Sequence, residues 1–138
     1  MTDRNVLIIK NSWSYIITQS DHVGELFYEK LFELDPCLIP MFQNDIEHQA
    51  KKMMDMLTYM VMNLQNMQNI QDDIDALAKR HVHYGTKPEQ YQTVGQALIW
   101  VLQNSLGDEW DEEIGQSWMD LYNFCASSMI KASDSIKQ

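Results

Sequence analysis

Apolar side chains recur three and four residues apart through nearly the whole chain, the period of one face of an α-helix. Val6, Ile9, Trp13, Ile16 and Ile17 form the first stripe and predict a helix over about 3–18. Gln19, Ser20 and Asp21 interrupt it and supply a cap for a second helix, whose Val23, Phe27, Leu31 and Leu34 share a face until Pro36 ends it. A short helical turn bracketed by prolines is expected over 37–42. The next long helix starts near Asp45 or Glu47 and carries Met53, Leu57, Met60 and Leu64. Residues 65–71 are polar and loop-like, after which Asp72 and Asp73 open a helix at the end where the peptide dipoles favour negative charge. There Ile70, Ile74, Leu77 and His81 follow at intervals of four, three and four. Gly85 and the turn-like Thr86, Lys87 and Pro88 stop that helix about one turn beyond His81. Pro88 suits the first turn of the following helix, which turns Tyr91, Val94, Leu98, Val101 and Leu102 inward and stops at Gly107. A last helix begins after Gly107, with Ile114, Trp118, Leu121, Cys125 and Met129 on one face. The apolar runs 6–9 and 98–102 are short enough for buried strands, but each sits inside a longer helical pattern. The fold class is all-α, with six long helices and one short one.

Composition agrees, since five Gly and three Pro in 138 residues are too few for the many turns of an all-β chain. That length fits a single domain over 1–138 able to bury about two thirds of its unfolded surface. Ten basic residues against twenty acidic ones leave a net charge of −10 and no Lys/Arg cluster, which argues against nucleic acid or an anionic membrane as partner. The start, Met1 to Asn5, lacks the plan of a signal peptide, and no stretch of about eighteen apolar residues spans a bilayer, so a cytoplasmic location is expected. Cys37 and Cys125 are isolated thiols outside any CxxC or Cys/His zinc pattern, as in a reducing compartment, and both are expected to be small core residues. Six of the ten methionines fall between Met53 and Met67. Such a run reads as a deformable helix interface or as an interaction module for a partner helix, and a thioether is also a ligand that haem iron accepts.

The candidate chemistry begins at His81, which the apolar stripe places on the buried face of a helix near its end. A histidine so placed is either a core residue bonded to backbone or a metal ligand held at a helix terminus. His83 lies about 200° further round the same helix, and His22 follows a helix cap. Other segments take the second view. Leu26-Phe27-Tyr28-Glu29-Lys30-Leu31-Phe32-Glu33-Leu34-Asp35-Pro36 followed by Met41-Phe42 resembles the second and third helices of globins. Leu77-Ala78-Lys79-Arg80-His81, then Tyr84-Gly85 and Pro88-Glu89-Gln90-Tyr91, resembles the globin proximal helix and its exit, and 118–129 resembles the final helix. Gln49 precedes His81 by 32 positions, the interval between the distal and proximal positions of a globin. The likeness covers almost the whole chain and is nearest to bacterial single-domain globins and the globin halves of flavohaemoglobins, with neuroglobin more distant.

The resemblance implies a three-over-three helical sandwich holding haem b, iron protoporphyrin IX. Phe42 and Gln49 lie only seven positions apart, so the short fourth helix of many globins is expected to be absent. His81 is then the proximal iron ligand, with the Leu77 carbonyl one turn earlier as acceptor for its other ring nitrogen. Gln49 and Met53, four apart on one helix face, and Tyr28 from the second helix take the distal side, where a phenol and an amide can donate to a charged ligand. Phe42 packs on the porphyrin, Leu38, Val94 and Leu98 line it with Tyr84 and Tyr91 near the proximal exit, and Lys52 is in position to reach a propionate. His48, beside Gln49, offers a six-coordinate alternative if the helix rotates by one residue. Tyr91 matches a tyrosine that raises the basicity of the proximal histidine in flavohaemoglobins, but Ser133 stands where their glutamate is expected. The implied function is reversible binding of O2 and of NO or CO by a monomer or weak dimer. Alternatives are a nitric oxide dioxygenase served by a separate reductase, a six-coordinate redox or sensor globin and, outside the haem class, the Met-rich interaction module.

Overall fold

The computed structural model describes residues 2–41, 46–66, 71–83 and 88–137, without the side chains at 19–21, 41, 81–83, 88 and 133–137. Six α-helices carry the chain: α1 (Asp3–Ile16), α2 (Ser20–Leu34), α3 (Ile46–Met62), α4 (Gln71–His83), α5 (Pro88–Leu106) and α6 (Glu112–Lys137). There is no strand among the described residues. Thr2 starts α1 with a capping box, its hydroxyl accepting from the Asn5 amide while the Asn5 side chain returns to the Thr2 backbone. Gly107 ends α5 with φ +55°, a left-handed conformation that a Cβ would strain. Pro36–Met41 forms a 3₁₀ turn between α2 and α3. Only residues 42–45, outside the described residues, separate it from α3.

Helix α2 packs against α3, α5 and the 36–41 turn, while α4 packs on α6 and α1 rests on α3, α5 and α6. The predicted stripes are buried on α1, α2, α5 and α6, with local exceptions. Ile17 is 37% exposed, because α1 ends at Ile16 and the 3₁₀ turn Ile17–Gln19 rotates the next side chains off the helical register. Leu34, the last residue of α2, is 41% exposed. Cys37 is exposed rather than a core residue, since the 3₁₀ turn that carries it directs Leu38 inward instead. On α3 the deeply buried positions are Ala50, Met54, Met60 and Val61, and the predicted Met53 and Leu57 are half-buried, about one residue round the helix. The helix therefore has two adjacent apolar faces, and the one toward α2 is the deeper.

Buried polar groups join α1 to its neighbours. The Trp13 indole donates to Thr58 Oγ1 on α3 at 3.0 Å, and that hydroxyl donates to the Met54 carbonyl at 2.9 Å. The Trp118 indole on α6 donates to Ser12 Oγ at 2.9 Å, and the Ser12 hydroxyl in turn donates to the Ile8 and Ile9 carbonyls. Asn5 Nδ2 donates to Ser117 Oγ at 2.8 Å. The two indoles lie 5.7 Å apart in a tilted arrangement. The Tyr122 hydroxyl donates to the Tyr91 carbonyl and ties α6 to α5. Cys125 on α6 contacts the Met60 sulfur of α3 at 3.7 Å. The Arg4–Glu113 ion pair is bidentate but exposed at both ends, where pairing contributes little to stability.

Ser12→Ala removes the acceptor and strands a buried indole N–H, so it is expected to cost about 1–3 kcal/mol. The readout is a lower urea midpoint at unchanged m-value, with Ser14→Ala on the exposed side of α1 as the near-neutral control. Burial also raises the Cys125 thiol from 9.0 to about 11 and the Tyr28 phenol from 10.0 to about 12. Above pH 9 the unfolded chain sheds these protons before the folded one, so their stabilising effect is complete below that pH and is lost as pH rises through 11 and 12. Each contributes on the order of 2 kcal/mol. Melting temperature should fall steeply above pH 9, and Cys125→Ala should flatten the fall between 9 and 11.

Candidate functional site

Tyr28 sits on the buried stripe of α2, 6% exposed, with the Phe27 ring edge-on at 5.1 Å and the Phe32 ring tilted at 6.0 Å. Burial is what lifts its phenol to about 12. At neutral pH it is therefore a protonated group able to donate. Gln49 and Met53 occupy the second apolar face of α3, both half-buried and one turn apart. Their neighbours His48 and Lys52 are exposed. The helix thus turns the amide, and not the adjacent imidazole, toward the interior.

Leu38 from the 36–41 turn and Tyr91 and Leu98 from α5 are buried, and Val94 is half-buried beside them. Because α2 packs on α3, on α5 and on that turn, the elements bearing Tyr28, Gln49, Met53, Leu38 and Leu98 meet around one helix. Across the molecule α4 lies on α6 through Ile74 and Ala78, with Leu77 half-buried at the edge of that face. His81 belongs to the last turn of α4, four residues after Leu77 and three after Ala78. Its side chain lies outside the described residues, as do Phe42, Tyr84 and the side chain of Ser133.

The donor set suits an iron porphyrin. A porphyrin brings four nitrogens of its own, so the protein need supply one imidazole, apolar walls for the ring and a few polar groups for the ligand. Among the described residues no three His, Cys, Asp or Glu side chains gather to hold a bare ion. No helix among them is long and apolar enough to cross a membrane. An open groove of about 740 Å³ runs between α5 and α6 past Gly95, Trp100 and Tyr122, and it shares only Tyr91 with the predicted lining. Sequence periodicity missed two neighbours of the site, Gly24 one turn before Tyr28 and Ala50 next to Gln49, although a lone glycine inside a helical stripe signals a close approach.

Comparison with known proteins identifies the family and the fold. The globin family model matches residues 25–129, a span that contains Tyr28, Leu38, Gln49, Met53, Leu77, His81, Tyr91, Val94 and Leu98. A neuroglobin from Tetraodon nigroviridis is 26% identical, covering 94% of this chain and 90% of its own length, and one from Danio rerio is 24% identical over 95% and 91%. A bacterial globin from Campylobacter jejuni superposes with a TM-score of 0.85 at 24% identity, covering 99% of both chains, and so shares the fold that the sequence pattern predicts. On the family match across 25–129, the chain belongs to the globin family, whose members generally bind haem and small diatomic gases.

Proposed function

We propose that this globin holds haem b through His81 and binds O2 reversibly, with NO and CO as further ligands, in a reducing cytoplasm. The observation that carries the reading is the buried, protonated phenol of Tyr28 on a helix packed against the one that presents the half-buried Gln49. The two thiols, Cys37 and Cys125, form no Cys-x-x-Cys-His attachment sequence, so the prosthetic group is held without covalent bonds to the chain's sulfurs. Haem supplies the metal that takes the diatomic ligand. The chain supplies the rest. His81 would hold the group through its imidazole, with the Leu77 carbonyl one turn earlier as acceptor for the second ring nitrogen. Leu38, Leu98, Val94 and Met53 exclude water, and that exclusion strengthens every hydrogen bond made inside. With haem in place, Tyr28 Oη and the Gln49 amide would be the donors available to a diatomic ligand that carries negative charge, as O2 would and CO scarcely would. Lys52, exposed on α3, would be available to a haem propionate.

The purified protein should be red with a Soret band, and His81→Ala should lose most of its haem. A ligand that binds only the folded chain stabilises it, so the haem form should melt above the apoprotein. Absence of a Soret band on reconstitution, or equal melting temperatures, overturns the haem reading. Tyr28→Phe keeps the ring and removes one donor to a charged acceptor, a loss of about 1.5–3 kcal/mol or roughly tenfold to hundredfold faster O2 release. Stopped-flow O2 dissociation tests this, with CO dissociation as the control that should change much less. Equal O2 rates in wild type and variant make Tyr28 a packing residue.

A further inference from the structure

A Cβ built on Gly24 would lie 2.8 Å from Ala50 Cβ, 3.2 Å from the Ala50 carbonyl oxygen and 3.4 Å from its carbon. The helices α2 and α3 therefore cross with almost nothing between their backbones. Both residues are buried, and neither partner atom is the movable tip of a long side chain. Gly24 stands one turn before Tyr28 on α2, and Ala50 directly follows Gln49 on α3. The crossing point is thus the shared origin from which the two donors are measured.

We propose that Gly24 and Ala50 are positioning residues that set the separation of the Tyr28 phenol and the Gln49 amide, and so determine how strongly O2 is held relative to CO. The inference rests on the distal role given to those two donors above. A methyl on Gly24 requires the helices to part by about 0.7 Å before the two carbons reach an ordinary contact of ~3.5 Å. Hydrogen bonds span only about 2.7–3.2 Å, so a shift of that size takes at least one of two donors rooted on different helices out of range of a common acceptor. Ligand selectivity is then carried by two of the smallest side chains in the protein, neither of which touches the ligand.

Three variants test it: Gly24→Ala, the methyl transposition Gly24→Ala/Ala50→Gly, and Tyr28→Phe. Alanine is the better helix former, so without steric conflict Gly24→Ala would raise the melting temperature of the apoprotein. It is expected to lower it, and the transposition should recover most of the loss, leaving only the 3.2 Å contact to the carbonyl. In the haem form Gly24→Ala should speed O2 dissociation about threefold to tenfold with CO dissociation changing less than twofold, and the transposition should return the O2 rate toward wild type. If Gly24→Ala raises the apoprotein melting temperature, or lowers it while the ratio of O2 to CO dissociation stays at the wild-type value, the positioning role is overturned. If Gly24→Ala does not fold, the transposition decides, since the same methyl on the same helix must then restore both folding and a wild-type ratio. Tyr28→Phe separates the two levels: a faster O2 rate there with an unchanged ratio in Gly24→Ala removes only the positioning role, whereas no effect in Tyr28→Phe removes the distal reading itself.

Discussion

Helix α2 is pressed from three directions, by α3, by α5 and by the 36–41 turn, and the arrangement of the candidate site follows from that constraint. Val23, Phe27, Tyr28 and Leu31 go inward because only they give α2 an apolar stripe, while Glu25, Glu29 and Glu33 remain in solvent. A phenol carried on such a stripe loses its water, and its ionised form becomes costly. The same burial that supplies packing area also guarantees a neutral donor. A side chain of equal polarity on an exposed face would compete with solvent for every hydrogen bond it made.

The second constraint is that the two sides of the site are braced separately. Among the described residues α3 and α4 are linked by a hydrogen bond from Tyr59 to Asp73 at 2.9 Å, and α4 takes its packing from α6. Helix α3 is held from behind by α1 through the Trp13 indole and Thr58. Helix α6 is held by α1 through Ser12 and the Trp118 indole. Both braces converge on consecutive residues, Ser12 and Trp13, so one turn of α1 registers α3 and α6 against each other. Directional bonds in an apolar junction do this better than packing alone, because each has one geometry and a penalty when it is missed.

Most of the helices were legible because each must bury one stripe, and a stripe has a period that a sequence displays. His81 continues the spacing of Ile74 and Leu77 on α4, but its side chain lies outside the described residues. Ile17, Leu34 and Cys37 were misplaced because helix ends and 3₁₀ turns change the rotation per residue, and periodicity assumes it constant. The stripe predicted for α3 is buried at Met60 and Leu64 but only half-buried at Met53 and Leu57, and the pattern did not show the adjacent burial of Ala50, Met54 and Val61. What decides is Ala50, whose smallness matters only because Gly24 faces it from another helix. Pairings of that kind, like Trp13 with Thr58, are relations between distant residues and leave no periodic trace in either segment.

The bond between Ser12 and Trp118 joins residues 106 positions apart. During synthesis α1 emerges before α6, with Ile9, Trp13 and Ile16 on one face that α6 later helps to cover. At elongation rates of about 5–20 residues per second the interval lasts several seconds, long compared with helix formation. Over that period the nascent chain displays a tryptophan-bearing apolar face with no intramolecular cover from α6. The register between α1 and α6 therefore closes only after both helices have been synthesised.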